Sequence, residues 1–328
     1  MNIAVVGSGS WGTAIAVLLN NNGHAVTLWS YTEEESAVIR ENRENPRLLG
    51  IKIPMSINCT SDCERISNNK VVVLVPPSYA MRSVAHTVAP YIDDDSIIVS
   101  LTKGIESDTG LRMSQIAQSE INRPIVALSG PSHAEEVGRG IPTGVVAACV
   151  DKEIAKFIQE VFSSDSFRVY TGSDVIGVEL GAALKNVIAV CAGISDGLGC
   201  GDNTKALLIT RGLEEIARLG IAMGARRETL SGLAGMGDLI VTCTSMHSRN
   251  RRAGILIGEG NTAKKAMDVV GAVVEGYYAA KSAIMLADKL NIEMPIAEAA
   301  YRIMYENADP AAIIVDLMRR KHIPEHVL

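Results

Sequence analysis

Aromatic residues are scarce in this sequence of 328 residues: Phe, Trp and Tyr together supply 4% of it, whereas hydrophobic residues as a whole supply 47%. The core must therefore be packed mainly from Val, Ile, Leu, Ala and Met. A single hydrophobic core rarely grows to this chain length, so we expect two domains.

Three further absences each exclude a class of protein. The net charge of −6 argues against a general nucleic-acid binder, because such proteins hold phosphates through an excess of Lys and Arg. No uninterrupted apolar run reaches roughly 18 residues, so no membrane insertion is expected. The start MNIAVVG lacks the basic lead and long apolar stretch of a secretory signal, which indicates a cytoplasmic protein.

Closely spaced cysteines are also lacking. Only Cys59 and Cys63 lie near each other among the six cysteines, and no pair combines C-x-x-C spacing with a histidine partner. Disulfide and zinc sites are therefore disfavoured, and we expect reduced thiols and no metal.

Two halves with different hydrophobic periods are present. In the first half, short β-branched runs alternate with helical stretches, which predicts a doubly wound α/β domain with a parallel sheet. The second half is Ala-rich with helical spacing, which predicts an all-α domain. We place the domains at residues 1–172 and 173–328. The predicted strands cover residues 3–6, 26–29, 71–75, 96–100, 125–128 and 144–150.

The first run leads into Gly7-Ser8-Gly9-Ser10-Trp11-Gly12, a G-x-G-x-x-G motif before a helix predicted at residues 13–20. In that setting the glycines allow a tight turn, close approach to a pyrophosphate, and close packing of helix on strand. A glycine-rich turn without a ligand is the alternative, but the strand before and the helix after favour a Rossmann-type dinucleotide site.

The end of the second predicted strand leaves the choice of dinucleotide open. An acidic residue is expected there to bind the ribose of NAD, yet the sequence has Ser30-Tyr31. NADP is therefore permitted, while the glutamates at residues 33–35 keep NAD possible.

Three polar loops follow strands whose carboxyl ends should meet at one edge of the sheet, namely residues 76–78, 102–104 and 129–132. Lys103 is a candidate ligand-binding residue, although a solvated lysine is the commoner case. Ser132 and Glu135 fit a capping box, which would direct helix N–H groups into the crevice; Ser132 as a plain cap is the alternative.

The second half offers two candidate charged groups. Lys185 lies among small and apolar neighbours, so we expect partial desolvation and a lowered pKa suited to proton exchange; a snorkelling or ion-paired structural lysine is the alternative. Asp238 follows a glycine-rich stretch and either orients this lysine or a substrate hydroxyl, or caps a helix.

A helix is also expected to begin at Ser248, where its free N–H groups and nearby arginines suit a phosphate. Arg249 and Arg252 share a face, whereas Arg251 points elsewhere. A solvated basic face is the alternative interpretation for Arg251 and Arg252.

Together these segments resemble the NAD(P)-dependent glycerol-3-phosphate dehydrogenases of the bacterial type, nearly end to end. The resemblance is carried by GSGSWGTA, LTKGIE, SGPSHAEEV, ELGAALKNVIA, KALLITRGLEE, SGLAGMGDLIVTCTS, SRNRRAG and VVEGYYAA, in family order and spacing. It implies hydride transfer between NAD(P)H and dihydroxyacetone phosphate, giving sn-glycerol 3-phosphate for phospholipid synthesis. Family members commonly form homodimers.

The resemblance also implies roles for individual residues, with Lys185 as the catalytic proton donor and acceptor. The implied substrate-binding residues are Lys103, Gly130, Ser132, Lys185, Asp238, Ser248, Arg249 and Asn250. The implied cofactor-binding residues are Gly7, Gly9, Ser10, Trp11, Gly12, Tyr31, Lys103, Ala134, Arg249, Val273 and Glu275.

Two departures from the family pattern stand out: Ser30-Tyr31 follows the second strand, and Pro76-Pro77-Ser78-Tyr79 replaces the more usual V-P-S-Q. Two alternative functions remain open at this point. One is a β-hydroxyacid or ketoacid reductase of the same architecture, and the other is a non-catalytic NAD(P)-binding sensor.

Overall fold

The computed structural model describes residues 1–322 and 325. Its main sheet has eight strands in the order β10-β9-β8-β7-β6-β1-β2-β5. Neighbouring strands are parallel except β8 and β9, which are antiparallel. The strands are β1 Asn2–Val6, β2 Ala25–Trp29, β3 Glu44–Asn45, β4 Leu48–Lys52, β5 Asn58–Thr60, β6 Val71–Leu74, β7 Ile97–Ser100, β8 Ile125–Ser129, β9 Thr143–Ala148 and β10 Phe167–Gly172.

Helices cover both faces of this sheet, as the doubly wound prediction requires. In β1, Ile3 and Val5 face one apolar layer while Ala4 and Val6 face the other, which is why the strand reads as a continuous apolar run. The helices of the first half are α1 Ser10–Asn21, α2 Glu33–Asn42, α3 Met81–Val88, α4 Met113–Ile121, α5 Ala134–Gly138 and α6 Lys152–Phe162.

All six predicted strands form, and β5, β10 and the β3–β4 hairpin form in addition to them. In β10 the signal was alternation, because Phe167 and Val169 are buried while Arg168 and Tyr170 are exposed. The first helix also begins earlier than predicted: Gly9 is its N-cap, so the end of the glycine motif forms the first helical turn.

Within the described residues, no strand follows Gly172, and the all-α prediction for the second half is confirmed. The helices are α7 Val175–Gly197, α8 Asp202–Ala222, α9 Arg227–Leu230, α10 Asp238–Thr244, α11 Arg249–Gly258, α12 Ala263–Val270, α13 Glu275–Leu290, α14 Pro295–Glu306 and α15 Pro310–Met318. A single π-helical turn, Leu233–Gly237, leads into α10.

Helix α7 is the core of this second half. It is long and apolar enough to cross a membrane, yet 89% of its most apolar window is buried inside the protein, as in a core helix. Helix α11 lies directly against it, since a Cβ on Gly193 would be 2.1 Å from the Arg251 carbonyl oxygen, and one on Gly254 would be 2.1 Å from that of Val190. Glycines at the contact therefore allow the backbones of α7 and α11 to pack directly against each other.

Candidate active site

A buried carboxylate bridges two lysines from the two halves of the chain. Asp238, 1% exposed at the start of α10, lies with Oδ1 3.0 Å from Nζ of Lys185 on α7 and with Oδ2 2.7 Å from Nζ of Lys103. Lys103 follows β7 and also donates to the Gly130 carbonyl after β8, at 3.1 Å. The structure therefore favours Asp238 as the residue that orients the lysine; its side chain caps no helix.

Lys185 is buried, with 4% of its surface exposed. Its ammonium donates to Oγ1 of Thr242 at 2.7 Å, and that hydroxyl donates in turn to the Asp238 carbonyl at 2.6 Å. Burial lowers the pKa of Lys185 to about 8, the Asp238 charge opposes this shift, and the Lys103 charge adds to it. A lysine in this environment exchanges a proton close to neutral pH.

The loop after β8 brings two further predicted residues to the same place. Gly130 has φ +157°, and a Cβ there would be 2.9 Å from the Gly144 carbonyl oxygen, so a side chain would not fit. Ser132 donates its hydroxyl back to the Gly130 carbonyl at 2.8 Å. The predicted capping box of Ser132 and Glu135 is wrong, because α5 begins later, with His133 as an N-cap that makes no side-chain cap.

Ser248 caps α11 as predicted, accepting from the Arg251 N–H at 3.2 Å. The side chain of the next residue, Arg249, makes no hydrogen bond or ion pair with any of residues 1–322 or 325. Burial lowers the pKa of Arg249, while the charges of Glu275 and Glu135 oppose that shift. A partly buried, unpaired guanidinium is suited to an anionic ligand.

Asn250 is buried and its amide joins three helices. Its Nδ2 donates to Oδ1 of Asn186 on α7 at 2.8 Å, and its Oδ1 accepts from the Gly276 N–H on α13 at 2.9 Å. One amide hydrogen is left for a ligand.

The alternative of a solvated basic face for Arg251 and Arg252 is wrong for Arg251. Its guanidinium lies 2.7 Å from Asp196 on α7, and its side chain is 13% exposed, because the close packing of α11 on α7 places the two charges together. Arg252 is half-buried, and its Nε is buried without a hydrogen-bond partner among the residues that the structure describes.

The glycine loop after β1 has the geometry of an anion cradle. Gly7 has φ +120°, and a Cβ on Gly12 would be 1.9 Å from the Gly7 carbonyl oxygen, whereas a Cβ on Gly9 would meet no atom within 4 Å. Helix α1 therefore packs tightly against the turn while its uncapped N-terminus stays accessible beside Gly9.

Buried polar atoms near this loop fit a dinucleotide. Ser8 Oγ, Trp11 Nε1 and Ser30 Oγ are buried and have no hydrogen-bond partner in the described structure. Groups of this kind normally find a partner, so their positions around the loop suit the phosphates and ribose hydroxyls of a cofactor. Ser10 begins α1, and Tyr31 is 64% exposed with its ring edge-on to Trp29.

The remaining predicted cofactor residues lie at two helix starts. Ala134 begins α5, and Val273 is half-buried just before α13. Glu275 begins α13, and burial raises the pKa of its carboxyl group, while donors from Ser78 and the Arg249 charge oppose that shift.

Thr242 was missed by the sequence analysis. Its spacing from Asp238, four positions on in one helix, is the signal that both side chains share a face. Ser78 and Asn186 lie within the Pro76–Tyr79 loop and the ELGAALKNVIA segment, but no local pattern predicts their partners.

Comparisons with known proteins agree with this arrangement. Residues 2–155 match the family description "NAD-dependent glycerol-3-phosphate dehydrogenase N-terminus", and residues 174–315 match the corresponding C-terminus. The chain is 50% identical over 325 residues to a glycerol-3-phosphate dehydrogenase [NAD(P)+] of Fusobacterium nucleatum, covering 98% of this chain and 97% of the relative. A relative of the same name from Agathobacter rectalis is also 50% identical, over 327 residues, 99% of this chain and 97% of its own.

Solved structures give the same answer. The crystal structure of glycerol-3-phosphate dehydrogenase from Coxiella burnetii superposes with a TM-score of 0.94 at 38% identity, covering 97% of this chain and 99% of that one. A ketopantoate reductase from Ralstonia eutropha shares only the fold, with a TM-score of 0.62 at 16% identity over 97% of this chain and all of that one. The resemblance drawn from the sequence motifs is thus confirmed, and the chain belongs to the NAD-dependent glycerol-3-phosphate dehydrogenase family.

Proposed function

We propose that this protein interconverts dihydroxyacetone phosphate and sn-glycerol 3-phosphate by hydride transfer with NAD(P)H. The observation that carries the proposal is the buried cluster in which Asp238 holds Lys185 and Lys103 at hydrogen-bonding distance. Reduction of a ketone needs a proton for the new alkoxide, and Lys185 has a pKa near the working range for that task. The family membership adds the phosphorylated triose as substrate.

Bound NAD(P)H supplies the hydride in this reaction. The Lys185 ammonium stabilises the negative charge that develops on the C2 oxygen and then donates its proton there; in the reverse direction the neutral amine accepts it. Asp238 holds the ammonium in place, and its negative charge offsets the cost of burying the positive charge. Thr242 fixes the direction of one N–H bond. Because the cluster is buried, these charges act with little screening by water.

The rest of the predicted site divides between the two ends of the substrate. Lys103, Gly130 and Ser132 line the carbonyl end from the first half of the chain. Ser248, Arg249 and Asn250 bind the phosphate at the start of α11, through the serine hydroxyl, the unpaired guanidinium and the free amide hydrogen. Arg249 and Lys103 are shared with the cofactor.

We assign the cofactor to the crevice between the glycine loop and the starts of α5 and α13. Gly7, Gly9, Ser10, Trp11 and Gly12 hold the pyrophosphate. Tyr31 would lie near the adenosine ribose of NAD or NADP. Ala134, Val273 and Glu275 would hold the remaining part of the cofactor.

The domain division at residues 172 and 173 is supported by the end of β10 at Gly172 and the start of α7 at Val175. We further propose a cytoplasmic homodimer that acts on a small phosphorylated substrate and neither binds nucleic acid nor inserts into a membrane. Its product supplies glycerophospholipid synthesis.

The direct test follows the loss of reduced-nicotinamide absorbance when dihydroxyacetone phosphate is added, with NADH and NADPH in parallel. Turnover with either cofactor supports the proposal. Turnover of ketoacids but not of dihydroxyacetone phosphate would indicate the ketoacid reductase instead. Cofactor binding without turnover of any of these substrates would indicate a sensor.

A further inference from the structure

The loop after β6, Pro76-Pro77-Ser78-Tyr79, has no role in the proposed reaction, yet it makes a specific polar contact with the second half of the chain. Ser78 donates its backbone N–H to Oε1 of Glu275 at 3.1 Å and its hydroxyl to Oε2 at 2.5 Å. Both carboxylate oxygens are therefore held by one residue. Both donors reach a partly buried carboxylate, and hydrogen bonds to a charged group are stronger than those between neutral groups.

The surroundings of Ser78 make this contact rigid. A Cβ on Gly104 would lie 2.3 Å from the Ser78 Cβ, so the loop that carries Lys103 packs directly against Ser78. Beside it, the rings of Tyr79 and Tyr278 pack with their centroids 5.7 Å apart. Ser78 thus lies between the loop of a proposed substrate lysine and a proposed cofactor glutamate, and it is buried itself.

We propose that Ser78 is a positioning residue for the cofactor site, acting through Glu275. By holding both carboxylate oxygens, Ser78 fixes the rotamer of Glu275 and favours its ionised form. The remaining lone pairs of the carboxylate are then free to accept a hydrogen bond from a donor group of the bound dinucleotide. This inference rests on the cofactor contact proposed for Glu275. It assigns a function to the Pro76–Pro77 loop that the family pattern alone left without one.

The test is the Ser78→Ala variant, which keeps the backbone donor and removes the hydroxyl. Because the variant loses the shorter of the two hydrogen bonds that hold the Glu275 carboxylate, we expect the Kd and KM for the reduced cofactor to rise by roughly 10-fold or more, with kcat changed by less than about 3-fold. The matched control is Ser83→Ala. Ser83 is exposed, and its hydroxyl donates only to the Ala80 carbonyl, so this variant should behave as the parent.

A double-mutant cycle separates positioning from general support of the fold. In a Glu275→Gln background, Ser78→Ala should have little further effect on cofactor Kd, because the charge that Ser78 holds is already gone. Full additivity of the two effects would show that Ser78 acts independently of Glu275 and would overturn the inference. So would an unchanged cofactor Kd in Ser78→Ala alone.

The pH dependence gives a second readout. The Ser78 donors and the Arg249 charge both lower the pKa of Glu275 against the effect of burial, and Tyr278 packs nearby. Loss of the Ser78 hydroxyl therefore raises that pKa, and cofactor affinity should begin to fall at a higher pH than in the parent as the solution is acidified; an unshifted profile contradicts the inference. If the parent binds cofactor but never reduces dihydroxyacetone phosphate, the proposed function fails while this comparison of Kd values still stands.

Discussion

Replacing Asp238 by Asn tests the electrostatic core of the mechanism. The carboxylate lies 3.0 Å from the Lys185 ammonium. At an effective dielectric constant of about 20, such a contact contributes at most roughly 5 kcal/mol, or about 4 pKa units. Burial and Lys103 already lower the pKa of Lys185 to about 8 with Asp238 present. In Asp238→Asn both of these influences remain, and the opposing charge is lost.

We expect the pKa of Lys185 in this variant to fall by at least about two units, to below about 6, so that less than about one tenth of the enzyme carries the ammonium at pH 7. The assay is kcat/KM for reduction of dihydroxyacetone phosphate as a function of pH, which reports the ionisation of the free enzyme. In the parent this quantity should fall as the pH rises through about 8. In Asp238→Asn the midpoint moves down, and activity at neutral pH drops at least about 10-fold.

Two comparisons make the test strict. Asp95→Asn removes a carboxylate at the same 3.0 Å from a lysine, Lys70, but its side chain is 77% exposed; solvent screens such a pair, so the profile should match the parent. Lys103→Met removes the charge that lowers the pKa of Lys185, so the midpoint should move up. An unshifted or raised midpoint in folded Asp238→Asn would refute the reasoning.

Three further outcomes are expected. Lys185→Ala should lower kcat by about 10²-fold to 10⁴-fold, the usual range for a positioned acid, with a smaller change in cofactor Kd; near-normal turnover would remove Lys185 from the role. Arg249→Ala should chiefly raise the KM for the phosphorylated substrate in steady-state kinetics, and an unchanged KM would count against a phosphate contact there. Glu215 is buried and accepts from the N–H groups of Ile296 and Ala297, and burial raises its pKa from 4.5 to about 7. Between these two pH values the folded state therefore binds a proton at Glu215 that the unfolded state does not. The free energy of unfolding of the parent should fall relative to that of Glu215→Gln as the pH rises from about 4.5 to about 7, by up to roughly 3 kcal/mol. Urea unfolding at both pH values measures that difference, and a constant difference would contradict the assignment.

Local sequence patterns were sufficient for the architecture and for part of the site. The six predicted strands form because continuous β-branched runs are stable only when both faces are covered. The glycine motif predicted an anion cradle beside α1 because the close backbone packing there leaves no room for side chains. A Cβ on Gly7 or on Gly12 would lie within 3 Å of a backbone atom. Ser248 capped its helix for an equally local reason, since its hydroxyl reaches an N–H only three residues away.

Local patterns failed where a side chain makes a different contact from the one that its sequence motif predicts. Ser132 fitted a capping box, but its hydroxyl turned to the Gly130 carbonyl. Arg251 read as a solvated arginine, but α11 packs so closely on α7 that Asp196 is within 2.7 Å. The competing acceptor is a backbone carbonyl two residues away for Ser132 and a carboxylate on a neighbouring helix for Arg251, and the spacing of the motif reports neither.

By itself, the sequence determined that the chain has a Rossmann-type sheet followed by a helical half. It also determined that this second half contains a lysine in apolar surroundings. Only the tertiary structure decided that Asp238 contacts both Lys185 and Lys103, although Asp238 and Lys103 lie 135 positions apart in the chain, and that Ser78 holds Glu275 across 197 positions. The physical reason is range: hydrophobic period, capping and glycine sterics act within a few residues, whereas the pairing of buried charges depends on how separate elements pack together.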